Sequence, residues 1–163
     1  MYAGNKISRI VPENWRGLEN SLQILRLGKN AIEKLPADAF VSLTYLEILD
    51  LRENSLKEID PSVFRDGMAH LTHLYLNDNQ LTYVPYTQLF SLKRMKVLDL
   101  SYNKISKMLH AQQEPEIRSI QMSLDVLQLD YNQIETLASG DFQHFYKINH
   151  TYLRGNPLMI IEV

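Results

Sequence analysis

The stretch LQILRLGKNAIEKLPADAFVSL, Leu22 to Leu43, places Leu22, Leu25, Leu27, Asn30, Ile32, Leu35, Phe40 and Leu43 in the pattern LxxLxLxxNxLxxLxxxxFxxL. The pattern returns as Leu46, Leu49, Leu51, Asn54, Leu56, Ile59 and Phe64, and again as Leu71, Leu74, Leu76, Asn79, Leu81, Val84, Leu89 and Leu92. A fourth unit has Met95, Leu98, Leu100, Asn103, Ile105 and Met108, and a fifth has Leu124, Leu127, Leu129, Asn132, Ile134, Leu137, Phe142 and Phe145. Partial units flank these at Asn5 to Leu18 and at Ile148 to Ile161. From Asn5 through Asn156 the asparagines are spaced by 25, 24, 25, 24, 29 and 24 residues. A fixed period of roughly 20 to 30 residues is the signature of a solenoid, in which each unit buries its apolar face only against its neighbours.

The residue types explain the pattern. In LxL the alternation turns two leucines inward and the residue between them outward, giving a short strand with one buried face. Such strands stack in parallel. The asparagine follows where the chain must turn, and its amide carries donors and an acceptor for backbone groups that the bend leaves unpaired. Asn30, Asn54, Asn79, Asn103 and Asn132 are therefore expected to form a structural ladder. Phe40, Phe64 and Phe142 fall ten residues beyond their asparagines, as does Trp15 beyond Asn5, and are expected to stack as an aromatic spine on the outer side.

Residues 1–163 read as one array, with five complete units and partial units at 1–21 and 146–163. The 45% hydrophobic content supports a continuous core. A net charge of −2 provides no electrostatic footprint for nucleic acid or an anionic membrane. No run approaches the ~18 apolar residues needed to span a bilayer, and the opening MYAGNKISRIVP lacks the apolar core of a secretory signal. Both ends lie inside a repeat, so the array reads as uncapped and as a piece of a longer one. In isolation it is expected to be poorly soluble or weakly cooperative in unfolding. The absence of cysteine is compatible with missing disulfide-bonded caps and equally with the cytosol.

The 29-residue spacing between Asn103 and Asn132 marks one irregular unit, in KMLHAQQEPEIRSIQMSL. Pro115 after Glu114 suits the first position of a helix, and Ile117, Ile120 and Leu124 share a helical face. A short outer helix is expected there.

Catalytic signatures are missing. His70 and His73 are not joined by further residues in a metal-ligand spacing, and no HExxH, GxSxG, P-loop or dinucleotide motif occurs. Asp50, Asp99 and Asp130 recur because solvent-facing repeat positions are polar, so they are not read as a catalytic pair. Neither an enzyme, a metal nor a cofactor is expected. Asn149-His150-Thr151 is an N-glycosylation sequon, with Thr151 at a position where the pattern calls for leucine.

Function is left to the surface. Residues flanking the inward leucines form three outward rows: Ile24, Ile48, His73, Val97, Val126 and His150; Arg26, Asp50, Tyr75, Asp99, Gln128 and Tyr152; Gly28, Arg52, Asn77, Ser101, Asp130 and Arg154. Tyr102 and Tyr131 stand at the strand edge. Aromatic groups, β-branched groups and charges of both signs together suit a protein interface. Ile24, Arg26, Asp50, Arg52, Tyr75, Asn77, Asp99, Tyr102, Gln128, Asp130, Tyr131 and Tyr152 are the candidate partner-binding residues. β-propensity alone also accounts for the apolar row.

The units LPADAF (35–40), IDPSVF (59–64) and LASGDF (137–142), set in a 24-residue repeat, resemble the extracellular "typical" class of leucine-rich repeat. That class includes Toll-type receptors and neuronal adhesion proteins. The resemblance covers Asn5 to Val163 and implies a leucine-rich repeat solenoid. A curved single parallel β-sheet then lines its concave face, with loops and short helical turns on the convex face. Within the class, VPENWRGLENSLQILRLGKNAIEKLPADAF and the irregular unit resemble insect photoreceptor adhesion proteins. This implies a full-length protein on the extracellular face of the plasma membrane, held by a glycolipid anchor. It also implies a protein partner, with a second copy on an apposed membrane as one form, and no insertion of this segment into the bilayer. A ligand-binding signalling receptor and a cytosolic scaffold share the same ladder and stay open.

Overall fold

The computed structural model describes residues 4–64, 68–89, 91–108, 122–138, 140–143 and 145–161. Six parallel strands form one sheet: β1 (Ile24–Arg26), β2 (Ile48–Asp50), β3 (His73–Tyr75), β4 (Val97–Asp99), β5 (Met122–Gln128) and β7 (Phe145–Tyr152), paired in that order. The register follows the repeat, with Leu25 opposite Leu49, then Leu74, Leu98, Leu127 and Thr151. All of the leucines in that line are buried. Transfer of such a side chain from water contributes about 1.5–3 kcal/mol, and the stacked units pool these contributions in one continuous core.

The asparagine ladder joins each unit to the one before it. Asn79 Oδ1 accepts the N–H of Leu56 at 3.0 Å, while its Nδ2 donates to the carbonyls of Leu51 at 3.0 Å and Leu76 at 3.1 Å. Asn54, Asn103 and Asn132 repeat the arrangement, with their Oδ1 atoms on the N–H groups of Ile32, Leu81 and Ile105. Asn30 and Asn156 do so at half-buried positions, serving Ile7 and Ile134. The turn is therefore closed by side chains, as the donors and acceptor of an amide allow.

Among the described residues the outer segments include turns, a 3-10 helix (Pro12–Trp15) and α1 (Tyr86–Leu89). Side chains tie them across units: Trp15 Nε1 donates to the Ala39 carbonyl at 2.6 Å and Gln88 Nε2 to that of Ile59 at 2.8 Å. The expected aromatic spine forms in part. Trp15 and Phe40 stack with centroids 6.1 Å apart and Phe64 is fully buried, whereas Phe142 is only half-buried. The third unit offers Leu89 instead, so the aromatic column is interrupted.

The irregular unit departs from expectation. Residues 109–121, which hold most of the expected helix, lie outside the described residues, but Leu124 belongs to β5. Burial of Met122, Leu124 and Leu127, with Met122 and Leu124 alternating about a half-exposed Ser123, favours a strand there. β5 and β7 pair from Met122 and Phe145 onward, well beyond the three residues of the earlier strands. A second parallel pair, β6 (Thr136–Leu137) with β8 (Ile160–Ile161), lies outside the main sheet and was not expected from the repeat pattern.

Candidate recognition surface

The parallel register turns the second outward row into a line of neighbours, Arg26, Asp50, Tyr75, Asp99, Gln128 and Tyr152, one per strand. Adjacent members are about 4.8 Å apart along the hydrogen-bonding direction. Their exposure is unequal. Asp50, expected at the surface, is only 6% exposed. Its Oδ1 accepts from Arg52 Nε at 2.9 Å and from the Arg52 backbone at 3.2 Å. Gly28 on the preceding unit packs against this pair, and an added Cβ there would lie 3.0 Å from Arg52 Cγ and 3.2 Å from Asp50 Oδ1. A side chain at that position would press on the pair, which would have to shift by a few tenths of an ångström.

Asp50 is thus engaged within the chain. It holds the Arg52 guanidinium over the Tyr75 ring at 5.0 Å from the centroid, a cation–π geometry. The hydrogen bond to Asp50 also raises the Arg52 pKa, against the opposing effect of burial. The other side of the centre is built around Asp99. Its carboxylate accepts from the Ser101 backbone at 3.0 Å and from the Ser101 hydroxyl, and the Gln128 amide, with its nitrogen toward Asp99, donates to it at 2.8 Å. Burial raises the Asp99 pKa above the ordinary carboxylate value, with the Ser101 hydrogen bonds opposing. His73 stacks on Tyr75 with centroids 6.3 Å apart. Tyr75 thus contacts both a cation and an imidazole, and these contacts restrain its ring before any partner binds.

A fourth row runs beside these three. The residue before each ladder asparagine has a positive φ: Lys29 56°, Glu53 52°, Asp78 55°, Tyr102 54° and Tyr131 53°. Each is bonded through its N–H to the next unit, as Asp78 is to the Ser101 carbonyl at 3.0 Å and Tyr102 to that of Asp130 at 2.9 Å. Lys29 and Glu53 pair at 3.4 Å. Tyr102 and Tyr131 stack with centroids 4.6 Å apart and planes within 15°. Beyond Tyr131 the row ends at Gly155, where a Cβ would come within 2.5 Å of the Tyr131 ring. The Arg154 guanidinium lies 5.9 Å from that ring's centroid. Sequence reasoning placed both tyrosines at the edge but missed that Lys29, Glu53 and Asp78 share their row. The signal was present as the position before each asparagine.

Of the remaining candidates, Ile24, Arg26 and Tyr152 are exposed, and Asn77, Gln128 and Asp130 are half-exposed. They line the same face. No group of three or more His, Cys, Asp or Glu side chains that could hold a metal occurs among the described residues.

The leucine rich repeat family model matches residues 20–81 and 69–123. The chain belongs to the leucine-rich repeat family. Human leucine-rich repeats and immunoglobulin-like domains protein 1 is 32% identical over 85% of this leucine-rich repeat chain and 12% of its own length. Chicken keratocan is 30% identical over 83% of the chain and 42% of its own length, and mouse podocan 28% identical over 96% and 31%. The chain thus spans less than half of these relatives. Among solved structures, the TLR13–ssRNA13 complex aligns with a TM-score of 0.79 at 27% identity, covering 97% of this chain and 21% of that one. The APL1 leucine-rich repeat domain aligns with a TM-score of 0.74 at 22% identity, covering 96% and 38%, a likeness of fold.

The sequon of this leucine-rich repeat chain lies on β7, with Asn149, His150 and Thr151 all exposed. Asn149 Nδ2 donates to Asp125 Oδ1 at 3.0 Å. One amide hydrogen remains after that bond, so the nitrogen can carry a glycan while keeping its contact with Asp125. No helix among the described residues is long and apolar enough to cross a membrane.

Proposed function

We propose that this chain is the protein-recognition part of a cell-surface adhesion protein and binds its partner through the concave face. The observation that carries the reading is the ordered centre of that face, where Arg52 and His73 fix Tyr75 beside the hydrogen-bonded Asp99. Fixed aromatic groups flanked by charges are what protein hot spots use. Tyr102, Tyr131 and Tyr152 extend the surface, and Ile24, Arg26, Asn77, Gln128 and Asp130 surround it. The reading is of one five-unit array without catalytic machinery or cofactor. A nucleic-acid partner is disfavoured by the net charge of −2.

Relatives such as podocan, keratocan and osteomodulin are secreted or extracellular proteins, which supports an extracellular site. The resemblance of Val11 to Phe40 and of the irregular unit to chaoptin, an insect photoreceptor adhesion protein of the typical class, supports homophilic adhesion at the plasma membrane. The Toll–Spätzle complex, which aligns with a TM-score of 0.68 at 25% identity, favours the second reading of a ligand-binding receptor ectodomain.

Aggregation of suspended cells separates the two. Cells displaying the full-length protein are expected to aggregate with one another and not with cells lacking it. Absence of aggregation with the protein at the surface contradicts adhesion and leaves ligand reception. In secreted material Asn149 is expected to carry a glycan, seen as a mass shift that a glycosidase and Asn149→Gln both remove. An unmodified Asn149 in such material contradicts the glycoprotein assignment.

A further inference from the structure

We propose that the space between Asp78 and Tyr102 is a slot for an arginine side chain of the protein partner, deepening the concave-face reading on which it rests. The order of the strands puts Tyr102 between Asp78 on one side and Tyr131 on the other. One Tyr102 face is taken by the stack with Tyr131, and the residue is 51% exposed. Asp78 is exposed, and its carboxylate accepts from Asn77 Nδ2 at 2.8 Å. The adjoining Asn77 Oδ1 is buried without a donor among the described residues, which adds to the negative character of this edge. An aromatic face set against a carboxylate suits a guanidinium, which stacks and hydrogen-bonds at once.

Three observations favour this occupant. The same row already binds a cation on an aromatic ring, because Arg154 lies 5.9 Å from the Tyr131 centroid. Arg52, two strands from Tyr102, is committed to Asp50 and Tyr75. Asp78 and Tyr102 are also held at φ of 55° and 54°, a region that carries a cost for a bulky L residue. Glycine occupies the equivalent place at Gly4 and Gly155, so the repeat itself accepts the residue without that cost.

The test is an NMR titration of the isotopically labelled full-length ectodomain with N-acetyl-arginine methylamide, and in parallel with its uncharged citrulline counterpart. Saturable shifts are expected at the amides of Asp78, Tyr102 and Tyr131 with arginine, at least about tenfold weaker with citrulline. Asp78→Asn, which keeps a residue tolerant of positive φ, is expected to weaken arginine binding about fivefold or more. Tyr102→Phe retains binding and Tyr102→Leu loses it. Equal shifts from the two probes, shifts centred on Asp50 or Glu53, or indifference to Asp78→Asn overturns the slot. The titration needs no natural partner, so a failed slot leaves the broader reading to be judged by partner binding alone.

Discussion

Asn79→Ala is expected to destabilise the chain by about 3 kcal/mol, which for a chain of this length lowers the melting temperature by roughly 10 °C. The side chain is buried and bonds one N–H and the carbonyls of Leu51 and Leu76, so its loss leaves the N–H of Leu56 unpaired inside the solenoid. A buried orphan of this kind costs about 1–3 kcal/mol beyond the bond itself. Asn79→Asp keeps the acceptor but turns an anionic oxygen toward two carbonyls, and it is expected to be at least as damaging. Asn30→Ala is the control, since Asn30 is half-buried and water can replace part of what it does. Its cost is expected near 1 kcal/mol. Equal and small effects at both positions, measured by urea or thermal unfolding, contradict the role assigned to the ladder.

The sequence shows the ladder because it repeats. Asn54, Asn79, Asn103 and Asn132 occupy equivalent environments, and the leucines facing inward beside them obey a strict two-residue alternation. The outward rows were legible for the same reason, since parallel register preserves the spacing. What escaped the reading depends on contacts between units. Asp50 is buried beside Arg52, and Gly28, 22 residues earlier, packs against both. In the fourth row Lys29, Glu53, Asp78, Tyr102 and Tyr131 carry side chains at positive φ, where glycine, as at Gly4 and Gly155, would ordinarily mark the position. Leu124 satisfied a helical spacing and a strand spacing together, and pairing with β7 decided between them.

Recognition through the concave face is the central claim, and Tyr75 carries most of it. Arg52 and His73 hold its ring in place, so truncation removes an anchor already ordered for binding. Asp99 lies opposite Tyr75 on the next strand, where replacement by asparagine removes the charge with little change in shape. A hot-spot loss of about 2 kcal/mol corresponds to roughly thirtyfold in affinity. The decisive measurement is the affinity of the full-length ectodomain for itself, or for its protein ligand, with Tyr75→Ala and Asp99→Asn combined. A second variant combines Val41→Ala and Glu58→Ala, which are exposed and outside the strands of the sheet. The account predicts a loss of about thirtyfold or more for the first variant, with folding retained, and a change within about twofold for the second. Unchanged binding by the first variant with loss in the second contradicts it.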